Sequence, residues 1–584
     1  MIKKLKKLMN NKYISSFAIS FFIFMYLYSE NIIIKYHIFS IFLFFLLFFF
    51  VYQVDFSKLS QKEKYIGYGL SVIIGILYVL GYFTVFTAFS YSESAVMESL
   101  SFKGLILFLG IGLISFTLYS FLLPYIKKIK IIEKKPLDNK KLFIVSLLLM
   151  VLAWTVIYFL SFFPGNLSSD SISQLEQIFG NYQHLSDHHP VVHTLLISIP
   201  YQIGYFIFHN KTIGVAFISF TQLVFMATSI SYLLVELNKL KVKRELIYFT
   251  LFMYVVLPLY GLYSITIWKD ILFGIFFMLF NIQLYKMMYF HKDLNCYNFI
   301  SIIILSLFVV FLRNNAIYMY IIFVPFCLYY FRKNIKPWII SFSIVILTFL
   351  LVKGPIFSAA GIQSSSSAEY LAIPLQQIGR MAYQGKEFGK NDKIVLNKLL
   401  PFDMWKESYY PYVVDNIKFN PSFNVDIFNQ NKLDYLKTYL SLVLKNPITA
   451  IDGYLVSTVG YWYPNFSYWS VHYGVSDNSY QLKTHNYLPI NIQEIIKEFE
   501  QRDKPFVNMT WSIGLCVWII AGSAVICILR KEKNKLLIYV PALGIWLTMM
   551  IASPVSGEFR YVFCLFITLP IYMLIPYIKP IKNK

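Results

Sequence analysis

An all-α polytopic membrane fold of about 14 transmembrane helices, with an outer and mainly helical domain, is predicted by three observations. Of the 584 residues, 57% are hydrophobic and 14% charged, against about 45–50% and about 25% in soluble globular chains. Apolar runs of about 20 residues recur, long enough to cross the hydrocarbon core as helices, and they lack the alternation of transmembrane strands. The Lys and Arg residues behind the net charge of +22 gather in alternate loops: MIKKLKKLMNNK, KKIKIIEKKPLDNKK, NKLKVKRE, FRKNIK, RKEKNK and the tail. That is the pattern of cytoplasmic loops, so the charge reports topology, with a smaller part for attraction to anionic lipid, and does not call for nucleic acid. Both termini are then cytoplasmic.

In chain order, residues 1–141 hold four spans, at 13–29, 32–54, 65–86 and 105–126. The first follows basic residues as in a secretory signal, but no small-residue cleavage site comes after it, so it is expected to be retained. Residues 142–353 form the transmembrane core. Span 142–162 leads outward to the loop 163–190, FPGNLSSDSISQLEQIFGNYQHLSDHHP, which has no Lys or Arg, three carboxylates and three of the nine His. Run 191–208 is expected to lie along the membrane or re-enter it, interrupted at Pro200 and Gly204, because a crossing would place NKLKVKRE outside. Spans 213–235, 246–264, 270–288, 299–312, 316–331 and 338–352 then alternate. Residues 354–506 contain no convincing span and read as an extracytoplasmic, mainly helical domain, too long for a linker. Spans at 507–529, 536–551 and 561–578 complete residues 507–584. The five Cys lie in or beside spans and support neither a disulfide framework nor a thiolate metal site.

In this topology the ionisable residues of the outer face converge. Asp170 opens an amphipathic segment in which Ile172, Leu175, Ile178 and Phe179 fall at helical spacing. Asp187, His188 and His189 precede run 191–208, and Trp268, Lys269 and Asp270 stand at the mouth of the next hairpin. Asp170 can accept a proton from an attacking hydroxyl or orient it; equally, an Asp at this place caps a helix. Asp270 or Asp187 can support a divalent cation, Mg or Mn, or keep a His charged. The sequence requires no cofactor, and adjacent His188 and His189 are poorly placed to chelate one zinc ion. Arg313, Arg380 and Arg560 carry the planar fork that suits a lipid phosphate, or they pair with carboxylates such as Glu558. Trp268, Trp462 and Trp469 fit either stacking on a sugar ring or an interfacial aromatic belt.

From residue 142 onward the pattern resembles the GT-C superfamily of polytopic glycosyltransferases. The residues that carry the likeness are Ser169-Asp170-Ser171 in the first outer loop, His189-Pro190 opening a segment that runs to Gly204, and Asp270 opening a later inward span. The Asp-Glu pair and the His-Pro-Pro element of that superfamily are Asp-Ser and His-His-Pro-Val here. The strings WKD, LRNN, PLQQIGR, GYWYP and GEFRY resemble a bacterial subfamily of the same kind. The resemblance implies a GT-C-like core in a bacterial plasma membrane, inverting transfer of a hexose or pentose from a polyprenyl-phosphate donor, and an extracytoplasmic acceptor such as a wall polymer, glycolipid or protein. It implies Asp170 as the catalytic or acceptor-orienting residue and Asp270 in a support or metal-binding role, with Asp187, His188, His189, Trp268, Lys269, Arg313, Arg380 and Arg560 left as substrate-binding candidates.

Two rivals share the lipid-phosphate chemistry. A lipid-carrier flippase or transporter would need charges near the bilayer midplane and access from both faces, whereas here they crowd at one face. A surface polysaccharide polymerase or ligase would act on whole glycan chains.

Overall fold

The computed structural model describes residues 12–30, 38–132, 135–180, 182–183, 185–289, 295–468, 471–489, 491–499 and 505–578. Among these residues the regular structure is helical, with isolated β-bridges and no strand. Ten helices are long and apolar enough to cross a membrane, or eleven if the bent pair Arg244–Val256 and Pro258–Ile265 is one span. The chain is therefore a multi-pass, all-helical membrane protein. Shorter apolar helices at Cys296–Leu312, Ala316–Tyr330 and Ile513–Leu529 fall where the sequence places further spans.

One compact unit comprises Met1–Ile129, Tyr370–Phe466 and Ser553–Ser556. The leading spans become helices Lys12–Ser29, Ile38–Gln53, Gln61–Phe86 and Phe102–Lys128. Ser60 and Glu63 form a capping box that starts the third, with Glu63 Oε2 accepting from the Ser60 N–H at 2.9 Å. Its buried Gly67, Ser71 and Gly75 recur every fourth residue, the small-residue ridge that lets membrane helices approach closely. A Cβ at Gly75 would meet the Phe108 ring at 2.9 Å. The Tyr370–Phe466 segment folds into short helices around Leu375, Met381, Leu396, Trp405, Ile417 and Leu442, and it is tied to the end of the Gln61–Phe86 helix. Tyr383 donates to the Phe89 carbonyl at 3.0 Å, Gln384 to the Glu93 carbonyl at 3.0 Å, and Asp452 Oδ1 accepts from the Val96 N–H at 3.1 Å.

The other unit comprises Lys130–Glu369, Ser467–Ala552 and Gly557–Lys584. Its central helix is Lys269–Tyr289, whose most apolar stretch is 78% buried, packed by Lys211–Lys239, Cys296–Leu312 and Phe563–Leu574. Two expectations are revised. Span 246–264 breaks at Leu257 and bends by 56°, because Pro258 has no N–H to continue the ladder and holds Leu257 extended at ψ 122°. At the far end of the second half the carbonyls are held by Gln222, whose Nε2 donates to Ser264 at 3.1 Å and Thr266 at 2.8 Å, with Tyr263 at 3.3 Å. Val191–Phe208, expected to be interrupted at Pro200 and Gly204, is one continuous 18-residue helix. Gly204 serves packing instead: a Cβ there would lie 3.1 Å from Gly214 Cα of the following helix.

Candidate functional site

The loop that carries Asp170 is held by backbone pairing on two sides. The Asn166 N–H donates to the Ile265 carbonyl and the Ile267 N–H to the Asn166 carbonyl, both at 3.0 Å, while Leu167 exchanges two 2.8 Å bonds with Gly474 and Ser476. Gly165 makes the close turn, at φ +133°, where a Cβ would stand 2.8 Å from the Ile265 carbonyl oxygen. Helix Ser169–Phe179 follows. Its Ser171 hydroxyl accepts from the Ser168 N–H at 3.1 Å and donates to Ile267 at 2.7 Å. Ile172, Leu175 and Ile178 bury against Ile197, Tyr201, Val215 and Ile218, as their spacing predicts. Asp170 is thereby left in the first turn, where the helix dipole favours a negative charge.

Around it a ring of polar groups closes. Asp170 Oδ2 takes Arg560 Nη1 at 2.6 Å, and Arg560 Nε faces Glu558 Oε1 at 3.0 Å. The guanidinium lies 5.0 Å above the Trp268 ring, whose Nε1 donates to Ser168 Oγ at 2.6 Å. Next to Arg560, the Tyr561 carbonyl accepts from Arg313 Nη1, which also stands 3.2 Å from Asp270 Oδ1. Next to Asp270, Lys269 Nζ meets His189 Nδ1 at 3.3 Å. His189 Nε2 then returns to Asp170 Oδ1 at 4.0 Å.

A second cluster adjoins it through residues 187–189 and 313–314. Lys353 Nζ donates to both oxygens of Asp187, at 2.7 and 2.6 Å, and to Asn314 Oδ1 at 2.8 Å; Asn314 Nδ2 donates to the Asp187 carbonyl at 3.1 Å. Lys353 was not among the sequence candidates. Its signal is a cation within a long apolar run, Arg332–Ala359, where a charge requires a partner.

Of the ten sequence candidates, Asp170, His189, Trp268, Lys269, Asp270, Arg313 and Arg560 join the ring. Asp187 joins the second cluster. His188 is exposed, its ring 4.7 Å from that of His189. Arg380 belongs to the other unit, where it is fully buried and donates to the carbonyls of Thr87, at 3.0 Å, and Ala88. Trp462 is also in that unit, bonded to Thr458 Oγ1 at 3.1 Å; Trp469 and His184 lie outside the described residues. Among the described residues no three His, Cys, Asp or Glu side chains group as metal ligands. Asp170 and Asp270 face different guanidinia, so this donor set does not fit a divalent cation bridged between them.

Burial opposes ionisation of Asp170, but the cations Arg560 and Lys269 outweigh it and hold the carboxyl well below the usual carboxylate range. Burial and the neighbouring Lys269 push His189 down, to about 2, against the pull of Asp170. With Lys269 donating to Nδ1, the His189 proton sits on Nε2, facing Asp170. The ring thus presents an ionised carboxylate and a neutral imidazole at neutral pH. A His neutral in the fold but protonated once unfolded weakens the fold as pH drops below its unfolded pKa of about 6.5. His189→Gln is expected to remove about one proton from the acid dependence of unfolding between pH ~6.5 and ~4, read as a shallower fall of the melting temperature in detergent.

Comparison with known proteins places the chain without assigning chemistry. No curated protein and no solved structure matches it. The profile of a family described as "Family of unknown function (DUF6020)" matches residues 180–579, which takes in every member of the ring except Asp170 and its Ser168 support. That match spans more than half of the sequence, and the chain belongs to the DUF6020 family.

Proposed function

We propose that this protein is an inverting, GT-C-type membrane glycosyltransferase that moves a sugar from a polyprenyl-phosphate carrier to an acceptor outside a bacterial cell. The reading takes the full set of about 14 crossings, a plasma-membrane location, cytoplasmic termini and an extracytoplasmic active site. The observation that carries it is the Asp170–Arg560 pair, 2.6 Å apart at a helix N-terminus, with Asp170 only partly buried and backed by His189 and Lys269.

In the resting pair Arg560 makes Asp170 a weak base. A donor phosphate competes with that carboxylate for the same guanidinium, since a planar fork binds either anion. Once Arg560 turns to the phosphate, Asp170 is released to accept the hydrogen bond of the acceptor hydroxyl, and its proton affinity rises as the cation is shared. The acceptor oxygen then attacks the anomeric carbon, the bond to the carrier phosphate breaks, and the phosphate leaves with the electron pair. Asp170 takes the hydroxyl proton late in that step. Arg560, with Lys269 beyond it, stabilises charge on the leaving phosphate, the larger part of such acceleration.

Asp170→Asn keeps the shape of the side chain and removes its charge. In membranes containing equal amounts of each protein, sugar transfer from a lipid-phosphate donor is expected to fall by about 100-fold or more. Undiminished transfer would remove Asp170 from the chemistry and this reading with it.

A further inference from the structure

The Lys432–Lys445 helix, KLDYLKTYLSLVLK, has two apolar faces. Tyr435, Thr438 and Leu442 are buried, two of them within the core of the Tyr370–Phe466 segment. On the opposite side Leu433, Leu436, Leu440 and Leu444 are 70%, 51%, 49% and 80% exposed. Their spacings of three and four residues put all four on one narrow stripe. A contiguous stripe of this size marks an interaction surface, and three features say what covers it.

The first is continuity with a lipid-facing surface. The next helix, Pro447–Thr458, packs on the membrane span Gln61–Phe86 of the same unit, and its own Ile448 and Ile451 are 41% and 48% exposed. The second is position along that span. Arg380 and Tyr383 bind the carbonyls of residues 87–89, just past its end, and Gly81, near that end, lies against the Tyr463 ring. The third is charge. Exposed Lys432 and Lys437 flank the stripe, while Lys445 is satisfied by Asp392 at 2.8 Å. A Leu face bordered by Lys is the composition of a helix lying in the plane of a membrane interface, where the cations meet anionic headgroups.

We infer that the Lys432–Lys445 helix is a monotopic membrane anchor, its Leu stripe seated in the lipid of the leaflet at the Phe86 end of the Gln61–Phe86 span. The anchor holds the short helices of Tyr370–Phe466 against the bilayer, and it does not depend on the transferase reading.

The test uses the full chain carrying Cys296→Ser, since Cys296 is the exposed cysteine and the other four are buried. A single cysteine at Leu440→Cys, Leu436→Cys or Asp434→Cys takes an environment-sensitive fluorophore, and each protein is reconstituted in vesicles of phosphatidylcholine and phosphatidylglycerol. At positions 440 and 436 the emission is expected to shift to the blue and to be quenched by lipids with a nitroxide on the upper acyl chain. At 434, on the helix flank, quenching is expected to be several-fold weaker. Water-like emission at both Leu positions would overturn the proposal. So would blue-shifted emission that acyl-chain nitroxides leave unquenched, since the cover would then be protein.

Discussion

Arg560→Met is expected to remove both transfer and most of the folded protein. Arg560 faces Asp170 at 2.6 Å and Glu558 at 3.0 Å, and Glu558 is 3% exposed. Deleting the cation leaves one carboxylate buried and a second partly buried, both without the guanidinium that offsets much of their lost hydration. Breaking such a pair from one side costs about 3–5 kcal/mol, a large share of the stability of an ordinary domain. Adding Glu558→Gln removes the worse of the two stranded charges, so Arg560→Met/Glu558→Gln should recover a good part of the folded fraction, read as monodisperse protein in detergent after mild heating. Transfer should stay absent in that double variant, because Asp170 remains without the guanidinium that the proposed mechanism exchanges onto phosphate. Recovery of both would mean that Arg560 serves the fold alone.

The deeper pair should behave as a matter of stability first. Asp270 is 1% exposed and Arg313 5%, 3.2 Å apart, and neither Asp270 oxygen has a hydrogen bond among the described residues. Asp270→Leu alone should cost about 3–5 kcal/mol, since Arg313 is then a buried cation without its counter-charge. Arg313→Met alone should cost a similar amount for the converse reason. The combined Asp270→Leu/Arg313→Met variant should be far milder than the sum, because two well-packed apolar side chains replace a pair whose desolvation was barely repaid. Thermal unfolding of the four proteins gives the coupling directly. Additive losses would show that each residue is held by something other than its partner.

Much of this arrangement was legible in the sequence because its members sit where chain topology puts them. Asp170, Asp270, Arg313 and Arg560 each stand at the junction of a loop and an apolar run, and charge at such junctions needs a partner; the partners are one another. The spacing of Ile172, Leu175 and Ile178 likewise forecasts the buried face that leaves Asp170 in the first turn. Arg380 read the same way but is held by the backbone carbonyls of Thr87 and Ala88, and no side-chain pattern announces such partners. The break at Pro258 was masked by the apolar residues on both sides, which satisfy a hydropathy window whatever the backbone does. Lys353 was hidden differently: its partners Asp187 and Asn314 lie more than 150 and nearly 40 residues away, and only the fold makes the three one cluster.

The contact of Gln222 with the bent segment bears on how the chain enters the bilayer. Hydrocarbon supplies no donor for open carbonyls, so the Pro258–Ile265 segment is poorly suited to partition into lipid by itself. Its last turn is tolerated there once the amide on Lys211–Lys239 has arrived to cap the Ser264 carbonyl. Synthesis delivers that longer helix first. The two would then leave the insertion machinery as a pair, the earlier acting as an intramolecular escort for the later, and Gln222→Leu would be felt during biogenesis before it was felt in the finished protein.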